Sequence, residues 1–190
     1  MAQPRFYYDL ASPDAYLASE RVMHVLPEVP EWIPVRLAGL AAGGVGAFRC
    51  AEEEAIYRSD IEERARRYEL QPVRWPDPFP ADTDWALLAA TYAKQIGRGV
   101  AFSLAAFRQA FAGGRDLSEP DNVLLAAAAA EVHPRAINLA VERDAIKQRL
   151  REATDRAGDL GVTGVPSLVV GGEVFWGDDR LEDALAATVA

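Results

Sequence analysis

The sequence predicts an α/β fold in which a strand–helix–strand opening and a closing hairpin with its helix bracket a long helical middle. Three observations predict it. A short aromatic run ends at Ser12-Pro13, the residue pair of a helix start. From about Cys50 to Ala130 the apolar residues recur at helical spacing and no convincing strand pattern is present. Near the C-terminus two apolar runs flank Gly171-Gly172. A chain of 190 residues, 50% hydrophobic and 26% charged, can bury a core as one domain, or as one domain carrying an insertion.

Taken in order, Arg5 to Leu10 reads as a strand bounded by Pro4 and the Ser12-Pro13 pair, and the first helix runs from Pro13 to about Leu26. Trp32 to Leu37, between Pro30 and Gly39, reads as a second strand, and a strand, helix, strand order predicts a parallel pair. Ile56 to Tyr68 is charge-rich and helical, and Thr83 to Ile96 is amphipathic. Phe102, Leu104, Phe107 and Phe111 read as core positions rather than a ligand slot. Ser118, with Pro120 in the first turn and Asp121 three residues on, predicts a capping box opening a helix through Val132. A further helix is expected over Val141 to Leu160. Val165 to Val170 and Glu173 to Trp176 read as a hairpin turned at the double glycine, and Asp178 to Ala187 as a closing helix. The summed order is that of a thioredoxin-like fold with a large all-helical insertion. Residues 1-45 and 134-190 are expected to form the thioredoxin-like domain, and 46-133 the helical insertion domain.

Twenty Lys and Arg against 29 Asp and Glu give a net charge of -9 and a pI near 4.8. Such a surface repels phosphate backbones and anionic lipid, which argues against nucleic acid as a partner. The longest apolar stretch, Val123 to Ala130, is far short of the roughly 20 residues a membrane span needs, so no membrane association is expected. The first residues lack the cationic head and apolar run of a secretory leader, and a cytoplasmic location is the expectation. A single cysteine, Cys50, excludes dithiol exchange within the chain.

Ser12 is first an N-cap, its oxygen accepting from a backbone N–H. The same helix start, with its unpaired N–H groups and positive dipole end, also suits a thiolate, to which the serine hydroxyl can donate. Thioredoxin-like proteins normally place a reactive cysteine here. A serine cannot form a mixed disulfide, so its role becomes that of a donor lowering the pKa of a bound thiol from about 8.5. Val165-Pro166 has a bland reading, a trans proline ending a loop. Within a thioredoxin-like fold the bond is expected to be cis and to face the first helix start, leaving the Val165 N–H and C=O free for a peptide-like thiol.

With these motifs placed, the sequence resembles the 2-hydroxychromene-2-carboxylate isomerases and kappa-class glutathione transferases of the DsbA-like branch. The resemblance rests on Phe6-Tyr7-Tyr8-Asp9 with Ser12-Pro13 and Tyr16-Leu17-Ala18, on Phe79-Pro80, and on Phe111 with Gly114 and Asp116. It rests above all on Gly161 to Pro166 followed by Phe175-Trp176-Gly177-Asp178-Asp179-Arg180-Leu181. It implies that Ser12 polarises the sulfur of glutathione or another low-molecular-weight thiol and that Val165 and Pro166 clamp its backbone. It further implies that Asp178 and Asp179 hold the γ-glutamyl end; N-capping of the last helix is their alternative. A homodimer is implied as well.

The chain departs from the family pattern between Gly43 and Glu54, where an asparagine and a downstream lysine are expected and Glu53 stands near the lysine position. A carboxylate facing a carboxylate weakens binding by about 1 kcal/mol or more. Cys50 lies in this altered loop and reads either as an inert small hydrophobe or as an internal nucleophile beside Arg49, in which case no external thiol is needed. Glu52 to Glu54 reads as a solvated helix start, and Trp75 and Trp176 as candidate walls of an aromatic pocket. His24 and His133 form no metal constellation in sequence.

The reaction these readings point to is isomerisation, cis–trans or ring-opening, of a conjugated aromatic or polyene small molecule by reversible thiol addition, with Ser12 or Cys50 as the catalytic residue. Transferase-type conjugation and a non-catalytic DsbA-like binding module are the alternatives.

Overall fold

A computed structural model describes residues 3–44 and 48–188. Alternation along the first strand, β1 (Arg5–Tyr8), organises everything around it. Phe6 and Tyr8, both fully buried, point into one core, and Tyr7 points into a second on the opposite face. The second strand, β2 (Glu31–Pro34), pairs parallel with β1, from Arg5 opposite Glu31 to Tyr8 opposite Pro34. Parallel neighbours need a crossover, supplied by α1 (Pro13–Val25). The chain turns into a 3₁₀ turn at Leu37–Gly39, so the second strand stops short of Leu37.

The sheet is completed by β3 (Ser167–Val170), antiparallel to β1, and β4 (Glu173–Trp176), antiparallel to β3, in the order β2-β1-β3-β4. The hairpin turns at Gly171 and Gly172, whose φ values of 60 and 94° suit a two-residue turn that other residues adopt at a cost.

Between β2 and β3 lie α2 (Ala51–Arg67), α3 (Asp84–Gln95), α4 (Gly99–Phe107) running into a π-helical turn (Arg108–Ala112), and α5 (Pro120–Ala129). They are followed by α6 (Pro134–Val141) and α7 (Asp144–Asp159). The helix expected over 141–160 is α7, and α6 before it is a short helix not assigned from the sequence. It starts at Pro134, where His133 Nδ1 accepts from the Arg135 N–H at 3.1 Å. The capping box at Ser118 is corrected. The Ser118 N–H and hydroxyl both donate to the Asp116 carboxylate, at 2.8 and 2.6 Å, and Glu119 is the residue before the helix. The chain closes with a 3₁₀ turn (Asp178–Arg180) and α8 (Leu181–Thr188).

The helical middle and the sheet share one hydrophobic core. Tyr8 packs on Phe107 with ring centroids 5.7 Å apart, and Tyr16 on Phe111 at 5.6 Å. The Tyr8 and Ser103 hydroxyls are hydrogen-bonded at 2.5 Å. The boundary expected between residues 45 and 46 lies outside the described residues. Among the described residues no helix is long and apolar enough to cross a membrane.

Candidate active site

Where β1 hands over to α1, Asp9 fixes the turn. Its buried carboxylate accepts the Ala11 N–H at 2.9 Å, the Leu37 N–H at 2.8 Å and the Thr83 hydroxyl at 3.0 Å. Burial pushes this carboxyl up, and the three donors pull it back. The Asp9 carbonyl accepts the Ser12 N–H at 3.1 Å, which leaves Ser12 extended (φ -90°, ψ 115°) and its Oγ accepting from the Ala15 N–H at 3.1 Å. Ser12 is therefore the N-cap of α1. Its lone pair is used, but its O–H proton has no acceptor among the described residues. The hydroxyl lines a cleft of about 210 Å³ together with Asp14, Phe48, Tyr57, Val165 and Trp176.

Val165 and Pro166 form the far wall, and the bond between them is cis. The Pro166 carbonyl accepts the Gly177 N–H at 2.9 Å, whereas neither the N–H nor the C=O of Val165 is engaged by a described residue. A side chain at Gly164 would meet the Trp176 indole at 2.7 Å, so glycine there lets the ring lie over the segment. Trp176 is half exposed and closes the rim.

Beneath the cleft, Arg64 of α2 links three carboxylates. It pairs with Asp14 at 2.8 Å, with Asp60 at 2.8 Å, and with Asp178 Oδ1. The Tyr57 hydroxyl donates to Asp14 at 2.6 Å, and burial together with that carboxylate pushes the phenol up. Asp178 is buried, and its Oδ2 has no hydrogen bond of ordinary geometry, although the Tyr68 hydroxyl approaches the carboxylate. Desolvation raises the Asp178 carboxyl above its usual range, with Arg64 pulling against it. Asp178 does not line the cleft, and Asp179 is exposed beyond it.

Cys50 is exposed at the start of α2 and is not among the residues lining the Ser12 cleft. The Arg49 guanidinium turns to Glu53, whose carboxylate also accepts the Arg49 N–H at 2.8 Å. Of the loop read as altered, residues 45–47 lie outside the described residues. Trp75 sits away from the cleft, edge-on to Phe79 at 4.8 Å and donating to Glu62 at 2.8 Å.

The sequence profile of the DSBA-like thioredoxin domain matches residues 5–188. The chain belongs to that family. Within it, a 2-hydroxychromene-2-carboxylate isomerase from Sphingobium xenophagum is 30% identical over 184 residues, 93% of each chain. A solved 2-hydroxychromene-2-carboxylate isomerase superposes with a TM-score of 0.87 at 22% identity, over 98% of this chain and 94% of that one. A probable DsbA oxidoreductase from Streptomyces coelicolor superposes with a TM-score of 0.77 at 19% identity, over 98% and 90% of the two chains. The expected fold and family stand, and the chain is an isomerase of the DSBA-like family.

Asp14, Tyr57 and Arg64 did not stand out as site residues in the sequence. Asp14 carried a weak signal, an acid in the first turn after Ser12-Pro13. Arg64 carried none, because its partners lie 50 and 114 residues away.

Proposed function

We propose that this DSBA-like isomerase acts on a conjugated carboxylate of the 2-hydroxychromene-2-carboxylate class, with glutathione or a similar small thiol held against Ser12. The observation that carries the reading is a pair of unmet valences in one cleft. The buried Ser12 hydroxyl has a proton without an acceptor, and Val165 has a peptide N–H and C=O without partners among the described residues. A tripeptide-like thiol fits these groups, since an extended backbone pairs with an unpaired strand-like segment.

The thiol supplies the sulfur that adds to the conjugated carbonyl and leaves again after bond rotation, with no net oxidation or reduction. Ser12 donates its proton to that sulfur, and the positive end of α1 favours the charged form. Arg64 offsets the charge of Asp14 and the Tyr57 hydroxyl holds its carboxylate, so that it does not oppose this effect. Phe48 and Trp176 keep water off and give an aromatic substrate a surface. A second cavity of about 220 Å³ shares Leu37 and Gly44 with the cleft. It holds one cation, Arg36, paired through Nε with Asp84, against the carboxylates of Asp9, Asp82 and Asp84, so it does not suit the substrate carboxylate. Cys50 does not line the Ser12 cleft, which supports an external sulfur.

The test follows isomerisation by absorbance with dialysed protein, with and without glutathione, for wild type, Ser12→Ala and Cys50→Ala. Activity should require thiol, fall ~10²-fold in Ser12→Ala by analogy with loss of one preorganised donor, and survive Cys50→Ala. Thiol-independent turnover lost in Cys50→Ala overturns the external sulfur. An inert wild type overturns the reaction.

A further inference from the structure

A cavity of about 440 Å³ lies over β1 and β2, between these strands, α3 and α7, and shares no lining residue with the Ser12 cleft. Strand alternation puts Arg5 and Tyr7 on the same face of β1, opposite Phe6 and Tyr8. Arg149 and Arg156 stand seven residues apart, two turns along one stripe of α7, and reach the cavity from the other side. With Lys94, four cations line it against two carboxylates, Glu31 and Glu152, a local excess of two positive charges in a chain of net charge -9.

Those carboxylates are already engaged. Glu31 holds Lys94 at 2.5 Å, and Glu152 accepts the Gln148 amide at 3.0 Å. Arg5, Arg149 and Arg156 make no ion pair among the described residues. Tyr7 is only 2% exposed and lines the cavity. Burial and the Glu31 carboxylate push its hydroxyl up, against the approaching Arg5 guanidinium and the charge of Arg156. Neither arginine can accept a hydrogen bond, so the Tyr7 O–H proton has no acceptor among the described residues. A hydroxyl donor on the cavity wall, beside one unpaired guanidinium and within the field of a second, is complementary to an oxyanion. Ile33, Pro34 and Leu160 add apolar surface beside it.

We infer that this cavity binds a small organic anion, its carboxylate or phosphate seated between Arg5, Arg156 and the Tyr7 hydroxyl and its carbon body against Ile33, Pro34 and Leu160. The site is separate from the Ser12 cleft and does not depend on the function proposed for it.

Calorimetric titration of the full chain with phenylacetate, phenyl phosphate and inorganic phosphate tests this. One of the two organic probes should bind saturably, and the tighter one names the headgroup; inorganic phosphate should bind more weakly than phenyl phosphate. Affinity for the preferred probe should fall about tenfold in Arg156→Gln, an exposed position that does not threaten folding, and several-fold in Tyr7→Phe, which keeps the ring in its core. Ser12→Ala should bind as wild type does. No saturable binding of either organic probe overturns the inference. So does binding that Ser12→Ala abolishes while Arg156→Gln leaves it intact, which would put the anion in the other cleft.

Discussion

Replacing Arg64 with methionine removes the cation shared by Asp14, Asp60 and Asp178 while keeping much of the aliphatic stem. The Asp178 side chain is 2% exposed, Arg64 16% and Asp14 26%, so the Arg64–Asp178 pair is a buried one. Breaking a buried pair from one side costs about 3–5 kcal/mol, because the remaining charge has no compensation. The exposed Asp60 adds less than about 1 kcal/mol, and the partial exposure of Asp14 moves the total to the lower end, about 3 kcal/mol. For a chain of this length that is a melting temperature lower by about 6–12 °C. The pH dependence carries a sign. Desolvation already holds the Asp178 carboxyl above its usual range and Arg64 pulls it down, so the variant raises it further. A carboxyl whose folded value is raised favours the folded state most when protonated. Its stabilising contribution is complete below the unfolded value of about 3.9 and is lost as pH rises through the folded value. The deficit of Arg64→Met should therefore be largest at neutral pH and shrink on acidification. Adding Asp178→Asn should recover about 1–2 kcal/mol, since the stranded charge is gone. Thermal melts followed by circular dichroism at pH 7 and near pH 4.5 read both effects. A deficit under about 1 kcal/mol, or one that grows as pH falls, refutes the reasoning.

Two further outcomes follow from single contacts. Tyr8→Phe strands the buried Ser103 hydroxyl and should cost about 1–3 kcal/mol in urea denaturation, while Tyr8→Phe with Ser103→Ala should cost less than Tyr8→Phe alone. Gly164→Ala drives a methyl group into the Trp176 indole. Because that ring is half exposed it should swing outward, at about 1 kcal/mol in stability, with a changed near-ultraviolet circular dichroism spectrum and a loss of isomerase activity larger than the loss of stability.

What was legible in the sequence was legible for local reasons. Gly171-Gly172 between two apolar runs could only be a tight turn, and Ser12-Pro13 after an aromatic run could only open a helix. The short helix α6 was not legible, because over eight residues the buried Ile137, Ala140 and Val141 give too brief a pattern to stand out. Ser118 misled because Asp116, two residues before it, competes for its hydroxyl and N–H in a turn. At the site, the helix start and the Val165-Pro166 segment were visible as motifs. The Asp14–Arg64–Asp178 cluster was not, since it exists only once α2 lies across the start of α1, and no periodicity encodes that.

The continuity of the aromatic packing from Phe6 and Tyr8 through Phe107, Tyr16 and Phe111 to Trp75 decides what kind of part the helical middle is. It is a keystone rather than a visor. Lifting it as a rigid flap would strip Tyr8 and Tyr16 of their neighbours, so traffic in and out of the Ser12 cleft falls to the rim near Gly43, Phe48 and the half-exposed Trp176, where little has to be unpacked.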